Sequence, residues 1–371
     1  MTLKANFYKF IFLLYYGSMI KKLIVLLVLS MLPFSSFNNE PSLDEKIGEM
    51  IMLGFRGTSV SSSSKIIKDI NEYHIGGVVL FDYDQPSKSY PRNIESPSQV
   101  KKLIDDIKGL TNSSLFIAVD AEGGSVNRLK FLEIKSAEKM GKDAYTQAIK
   151  LGSSLKSLGF NLNFAPVVDV NVNPNNPVIS KLERSFSDDP SEVSAFAGEF
   201  IRGMHEYNIM TSLKHFPGHG SSKEDSHLGL VDVTNTYNKE VEILPFLELM
   251  DSADMIMTAH IMNKNIDKEN PATLSPLFLQ SILREELGYN GVIISDDMQM
   301  GAITSNFTLE EAVVLAINAG CDILGFSNNG NEYDEDIAEK VFNIIKNNIS
   351  EERINESYQR IKLLKEKYNL K

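Results

Sequence analysis

Thiol chemistry is nearly missing from this chain of 371 residues, whose one cysteine is Cys321. A single thiol excludes an intramolecular disulfide and any zinc site built on several thiolates, and its place before an apolar run suits a buried core residue. Phosphate-binding signatures are also missing. Gly-x-x-x-x-Gly-Lys does not occur, and Gly76-Gly77 precedes a strand-like run instead of following one. Positive charge is in deficit, with a formal net charge of -12. The first 37 residues hold Lys4, Lys9, Lys21 and Lys22 and no acid, so the remainder is more acidic still. Such a body repels nucleic acid and anionic membrane surfaces.

The N-terminal stretch differs from the rest. Lys21-Lys22, the apolar run from Leu23 to Leu32 and the small residues around Ser35-Ser36 have the order of a secretory signal, with Met19 a tidier start than Met1. The expectation is an exported protein, periplasmic or secreted. Residues 7–18 are apolar as well, so an uncleaved membrane anchor is the alternative. No cysteine follows the apolar run, and a lipid-modified N-terminus is therefore not supported. Residues 1–37 are set aside as signal or anchor, and 38–371 are read as one domain.

From Pro41 onward, apolar runs alternate with amphipathic segments, with no linker between. The runs are Met50–Gly54, Ile75–Phe81, Leu115–Asp120, Leu162–Val170, Ile209–His215, Met255–Ile261, Gly291–Asp297 and Cys321–Ser327. Helical segments are expected over 62–73, 98–110, 143–158, 190–207, 239–250, 276–287 and 309–319, with two more after Asn331. Asp189-Pro190 and Ser275-Pro276 read as helix starts, because proline fits the first turn and an acid or hydroxyl caps free N–H groups. Runs apolar on both faces, each followed by a helix, imply a covered parallel sheet. Eight such units predict an α/β fold of the (β/α)8 TIM-barrel type, with an open doubly wound sheet as the lesser option.

Polar residues gather where the runs end: Asp120, Asp169, Lys214 and His215, His260, and Asp296. In a barrel these ends share one face, so the residues converge on one pocket. Lys214-His215-Phe216-Pro217-Gly218-His219-Gly220 leaves the fifth run for a stretch with no regular period, expected to be a long mobile loop. Within it Asp225 and His227 stand two apart, a spacing that lets a carboxylate accept the imidazole N–H and raise the basicity of the other nitrogen. Asp296 comes at the end of a run expected to be a fully buried strand, as suits a fixed, partly desolvated anion that attacks an acetal carbon. Its neighbour Asp297 is the better candidate for a helix cap. Asp120, Arg128 and Arg184 suit the orientation of sugar hydroxyls, although any one of them alone could belong to an ordinary surface ion pair. Metal catalysis is not expected: the first run has no histidine, and Asp322 stands at the start of the last run instead of at its end.

Taken together, the Lys214–Gly220 motif, Asp225-Ser226-His227, Asp120-Ala121-Glu122-Gly123-Gly124, Arg184-Ser185-Phe186 and Ser295-Asp296-Asp297-Met298 resemble the β-N-acetylhexosaminidases of glycoside hydrolase family 3, over about residues 43–328. The pattern departs from the family at Ser125, Ser187 and Val231, where arginine, glycine and proline are common. The resemblance implies a barrel and a retaining exo-glycosidase that removes terminal β-linked N-acetylglucosamine, typically from peptidoglycan fragments. It further implies Asp296 as nucleophile, His227 as acid/base with Asp225 as its partner, and Asp120, Arg128, Arg184, Lys214 and His215 as the groups that hold the sugar. No cofactor is implied. The expected partner is an amino-sugar oligosaccharide or muropeptide, and the expected state is a monomer. An acid/base that is uncharged in its basic form leaves phosphate open as an acceptor in place of water. The competing readings are a glycosidase for another β-sugar, a sugar-binding barrel without turnover and, last, a metal-dependent amidohydrolase.

Overall fold

Short runs of Ile, Val, Leu, Met and Phe, buried on both faces, form the eight strands of the sheet. The strands are β1 (Ile51–Gly54), β2 (Gly77–Leu80), β3 (Phe116–Val119), β4 (Leu162–Asn163), β5 (Met210–Phe216), β6 (Met255–Thr258), β7 (Val292–Asp297) and β8 (Ile323–Phe326). Each pairs in parallel with the next in chain order, and β8 closes on β1 with Leu324 opposite Ile51. The result, in a computed structural model that describes residues 40–370, is the closed (β/α)8 barrel, not the open sheet. The secretion reading of residues 1–37 lies outside the described residues. Among the described residues no helix is long and apolar enough to cross a membrane.

The fourth strand is much shorter than its apolar run. Pro166, after a cis Ala165–Pro166 peptide, has no N–H to give a ladder, so pairing stops at Asn163. Side-chain amides take over part of the work. Asn161 accepts from Ile117 N at 2.7 Å and donates to Leu115 O at 2.8 Å, and Asn163 bonds both the N–H and the carbonyl of Ala121 at 3.0 Å. The chain then rejoins the edge of β5, where Val168 N donates to Lys214 O at 2.8 Å. This detour builds a wall of the pocket from residues 164–188.

Helices cover the barrel largely where the apolar periodicity places them. Asp189 caps Pro190–His205 by accepting from Ser191 N at 2.8 Å. Ser275 does not cap: its hydroxyl donates to Asp267 Oδ2 at 2.5 Å, and the helix Leu277–Glu286 winds with π-type spacing, Leu287 N reaching Ile282 O. The single helix expected over 239–250 is two, Lys239–Glu242 and Leu244–Leu249, with Pro245 opening the second. A further helix, Leu43–Glu49, is set by a reciprocal capping box between Ser42 and Glu45. Cys321 is wholly buried, and burial pushes its thiol up, as suits an inert core residue.

On the face where the strands begin, Asp322 is a fully buried carboxylate with three guanidinium partners. Arg284 Nη2 lies 2.7 Å away, Arg360 Nη1 3.0 Å and Arg353 Nη2 3.6 Å; Ser357 Oγ and Ile293 N also donate to it. It thereby fastens the C-terminal helix Glu351–Lys367 to the barrel floor. Removing one member of a buried ion cluster strands the others, so Asp322→Ala is expected to cost about 3–5 kcal/mol. Urea unfolding followed by circular dichroism measures it, and a loss under about 1 kcal/mol would mean the cluster is a surface ornament.

Candidate active site

The strand ends on the opposite face open into a pocket of about 420 Å³. All eight candidate residues line it: Asp120, Arg128, Arg184, Lys214, His215, Asp225, His227 and Asp296. A smaller hollow of about 60 Å³, walled by Met52, Val79, Phe164, Met257 and Phe326, shares Asp120 and Asp296 with it. Carboxylates therefore stand at the boundary between a polar cup and the apolar barrel axis.

The base of the cup is a chain of buried charges. Glu122 receives Arg184 through two bonds, Nε to Oε2 and Nη2 to Oε1, both 2.8 Å. Its Oε1 also lies 2.7 Å from Lys214 Nζ, which reaches Asp120 Oδ1 at 2.8 Å. Glu122 sits in a hairpin, Ala121–Gly123 against Val126–Asn127, turned by Gly123 and Gly124 at φ of 100° and 57°. Burial alone would raise the Glu122 carboxyl, but Arg184 and Lys214 outweigh it and hold it well below the usual carboxylate range. Burial would lower Arg184 and Lys214 too; their carboxylate neighbours lift both instead. Glu122, Arg184 and Lys214 thus stay ionised without water because each has a counter-charge.

Asp169, wholly buried, is the second organiser. Its Oδ2 lies 2.7 Å from His215 Nδ1, and its Oδ1 accepts from His215 N at 3.1 Å and His219 N at 2.7 Å. His215 Nε2 faces Arg184 Nη2, a pure donor, at 3.4 Å. That contact assigns the proton to Nδ1, bonded to Asp169. Lys214 and His215 both face the pocket across a cis peptide. Arg128 lies at the rim with its guanidinium 5.6 Å from the Phe81 ring centroid and 3.9 Å from Asp82 Oδ1.

Asp296 ends β7. Burial alone would raise its carboxyl, but His215, His260, His227 and the Asp297 N–H, at 2.8 Å, hold it down at about 2. It is an anion at neutral pH, half-buried at the pocket. Asp297 does different work, and it is not a helix cap. It accepts from Gln299 N at 3.1 Å, Ser327 N at 3.0 Å and Ser327 Oγ at 2.5 Å, tying β7 to the end of β8, while the next helix begins only at Gly301. Burial raises its carboxyl.

Across the pocket, Asp225 Oδ1 accepts from both His227 Nδ1 at 2.7 Å and His227 N at 2.9 Å. The imidazole Nε2 is left for proton exchange. The two residues sit in a turn, not an extended segment, and the stretch expected to be a long mobile loop is seated on the barrel at several points. Asn176 Nδ2 holds His219 O at 2.7 Å, Asn173 Nδ2 holds Ser222 O at 2.7 Å, and Ser221 N bonds Glu242 at 3.2 Å. Glu122, Asp169 and His219 are the site residues that sequence reasoning named without giving them a role. The two-residue spacing of Asp120 and Glu122 was the available signal for the first.

An anion fixed at a strand end, with an oriented imidazole opposite and hydroxyl-binding charges between, is equipped to attack a sugar acetal; fold and site together define a barrel glycosidase. Comparison with known proteins gives the particular family. The glycosyl hydrolase family 3 N-terminal domain matches residues 42–364, and the chain belongs to that family. It is 35% identical over 287 residues to a beta-hexosaminidase of Idiomarina loihiensis, covering 74% of this chain and 82% of that protein. It is 32% identical over 374 residues to beta-hexosaminidase A of Pseudoalteromonas piscicida, covering 87% of this chain but 61% of the relative. A solved family 3 beta-N-acetylglucosaminidase of a Paenibacillus species superposes with a TM-score of 0.79 at 33% identity, over 89% of this chain and 63% of that one. The chain thus spans less than two thirds of two of these three proteins.

The depressed Glu122 carboxyl carries a pH signature. Its stabilisation is fully present above its unfolded value, near 4.3, and is lost as pH falls toward the folded one, by about 1.4 kcal/mol per unit. The stability advantage of the wild type over Glu122→Gln is therefore expected to be constant from pH 7 to about 5.5 and to shrink at pH 3.5. Urea titrations at the three pH values test this, and a gap that does not change with pH rejects it.

Proposed function

We propose that this chain is a retaining exo-β-N-acetylglucosaminidase acting on peptidoglycan fragments or related amino-sugar oligosaccharides. The observation that carries the reading is the pairing in one pocket of an ionised Asp296 with the Asp225–His227 couple. In the first step an Asp296 oxygen bonds to the anomeric carbon as the bond to the leaving oxygen breaks. Protonated His227 delivers its proton to that oxygen. Asp225, bonded to Nδ1, supports the positive charge on the ring and keeps Nε2 aimed at the bond. In the second step neutral His227 takes a proton from water, the water oxygen bonds to the anomeric carbon, and Asp296 leaves as the free carboxylate. Asp120, Lys214, Arg184 and His215 supply hydrogen bonds to the sugar.

The names of the relatives support the amino-sugar substrate, and the signal-like N-terminus supports work outside the cytoplasm on wall material. A monomer suffices for the mechanism, since the catalytic groups come from one chain.

The test is turnover of aryl β-N-acetylglucosaminides and aryl β-glucosides by the segment from Asn38. The first is expected to be cleaved with retention and the second barely at all. Asp296→Ala is expected to fall to background on both. His227→Ala is expected to lose about 10²–10⁴-fold on a poor leaving group and far less on dinitrophenolate, which departs without a proton. Preference for the glucoside would make it a glycosidase for a different sugar, and binding without turnover a lectin-like barrel.

A further inference from the structure

The acid/base couple has little packing of its own to hold it. The side chains of His227 and Asp225 are 63% and 29% exposed, and Leu228 after them is 83% exposed. Between the two members, however, Ser226 is buried. Its hydroxyl meets His219 Nε2 at 3.1 Å, and His219 is fixed through its own N–H to Asp169. Two backbone bonds complete the attachment: Ala302 N donates to Ser226 O and Gly301 N to His227 O, both at 3.2 Å. Gly301 and Ala302 lie on the stretch that runs on directly from Asp296 and Asp297, where Met300 N bonds Asp297 O at 3.0 Å.

Position 301 is crowded in a specific way. A Cβ there would stand 2.7 Å from His227 O and 3.0 Å from the carbonyl carbon and oxygen of Leu228. Real Cβ contacts do not come so close to backbone oxygen, and a backbone cannot step aside as a flexible side chain can. Gly301 opens the helix Gly301–Thr304 and is not among the residues of positive φ, so alanine fits its backbone without strain. What glycine provides here is close approach alone.

We propose that Gly301 is a positioning residue for the acid/base: its bare Cα and its amide seat the His227 backbone, and the His219–Ser226 bond locks the seat. This places His227 and Asp296 in register through one stretch of chain. The inference rests on the function proposed above. Added bulk at 301 would shift the imidazole and leave Asp296 in place, so it would impair proton delivery and spare nucleophilic attack.

The experiment compares wild type, Gly301→Ala and Ser226→Ala on phenyl and 2,4-dinitrophenyl β-N-acetylglucosaminide, after thermal melts confirm folding. Gly301→Ala is expected to lose roughly 10-fold or more in kcat/KM on the phenyl substrate relative to its loss on the dinitrophenyl one, with Ser226→Ala showing a smaller split in the same direction. Equal losses on both substrates, or none, overturn the proposal. If Gly301→Ala does not fold, the Ser226→Ala split decides. Hydrogen exchange separates this from the chemistry. Faster exchange across residues 225–228 and at the amides of 301 and 302 in Gly301→Ala supports the seat whatever the enzyme cleaves, and unchanged exchange rejects it. Failure of the wild type on both substrates would count against the proposed function and leave the exchange result standing.

Discussion

The pocket depends on one electrostatic constraint: Glu122, buried, must be neutralised by Arg184 and Lys214 at the same time. Glu122 and Arg184 come from the connections after β3 and β4 and Lys214 from β5, and none could be withdrawn from water alone. Closure of the barrel brings them within bonding distance, and their mutual neutralisation lets the pocket floor carry charge. Asp120 is held by Lys214, and Arg184 leans on His215, so the polar groups that line the pocket are oriented in advance of any ligand.

Asp169 extends that logic to the second half of the site. One buried carboxylate orients the His215 ring and also the His219 backbone, from which the Asp225–His227 segment departs. The binding and proton-transfer roles proposed above thus share a single fixed point. Asp296, the proposed nucleophile, is supplied separately by β7, with Asp297 anchoring the end of that strand to β8. Chemistry sits on the face where strands end, while Asp322 and its three arginines hold the other face, the usual separation in this barrel architecture.

Much of this was legible from sequence because periodicity is local. Eight apolar runs, each followed by a helix, specify a barrel, and in a barrel strand ends meet; the convergence of Asp120, Lys214, His215 and Asp296 follows from counting alone, whereas Arg184 lies in a loop and was placed with them only by the family resemblance. What escaped was non-local. The apolar pattern continues through Phe164–Val170 although Pro166 has stopped the ladder, so the fourth strand looks longer than it is. The helix 43–49 is too short for a periodic signal and depends on its Ser42–Glu45 cap. The segment after Gly218 has loop composition, yet its order comes from Asn173, Asn176, Glu242 and Gly301, partners that no local window contains. Glu122 and Asp169 acquire roles only through cations and imidazoles that arrive from elsewhere in the chain.

The fastening of Asp225-Ser226-His227 has a consequence for protein engineering. The tripeptide contains the imidazole proposed to react and its carboxylate, and it looks like a transferable cassette. Its geometry, however, is borrowed: His219 is aimed by an aspartate from the fourth barrel unit, and the seat at Gly301 belongs to the seventh. Grafting the three residues onto another barrel would move the reagent and leave its mounting behind. An acid/base of this kind is transplanted only with parts of three barrel units, and a lineage that diversified the segment would be free to vary its exposed tip while holding those distant supports constant.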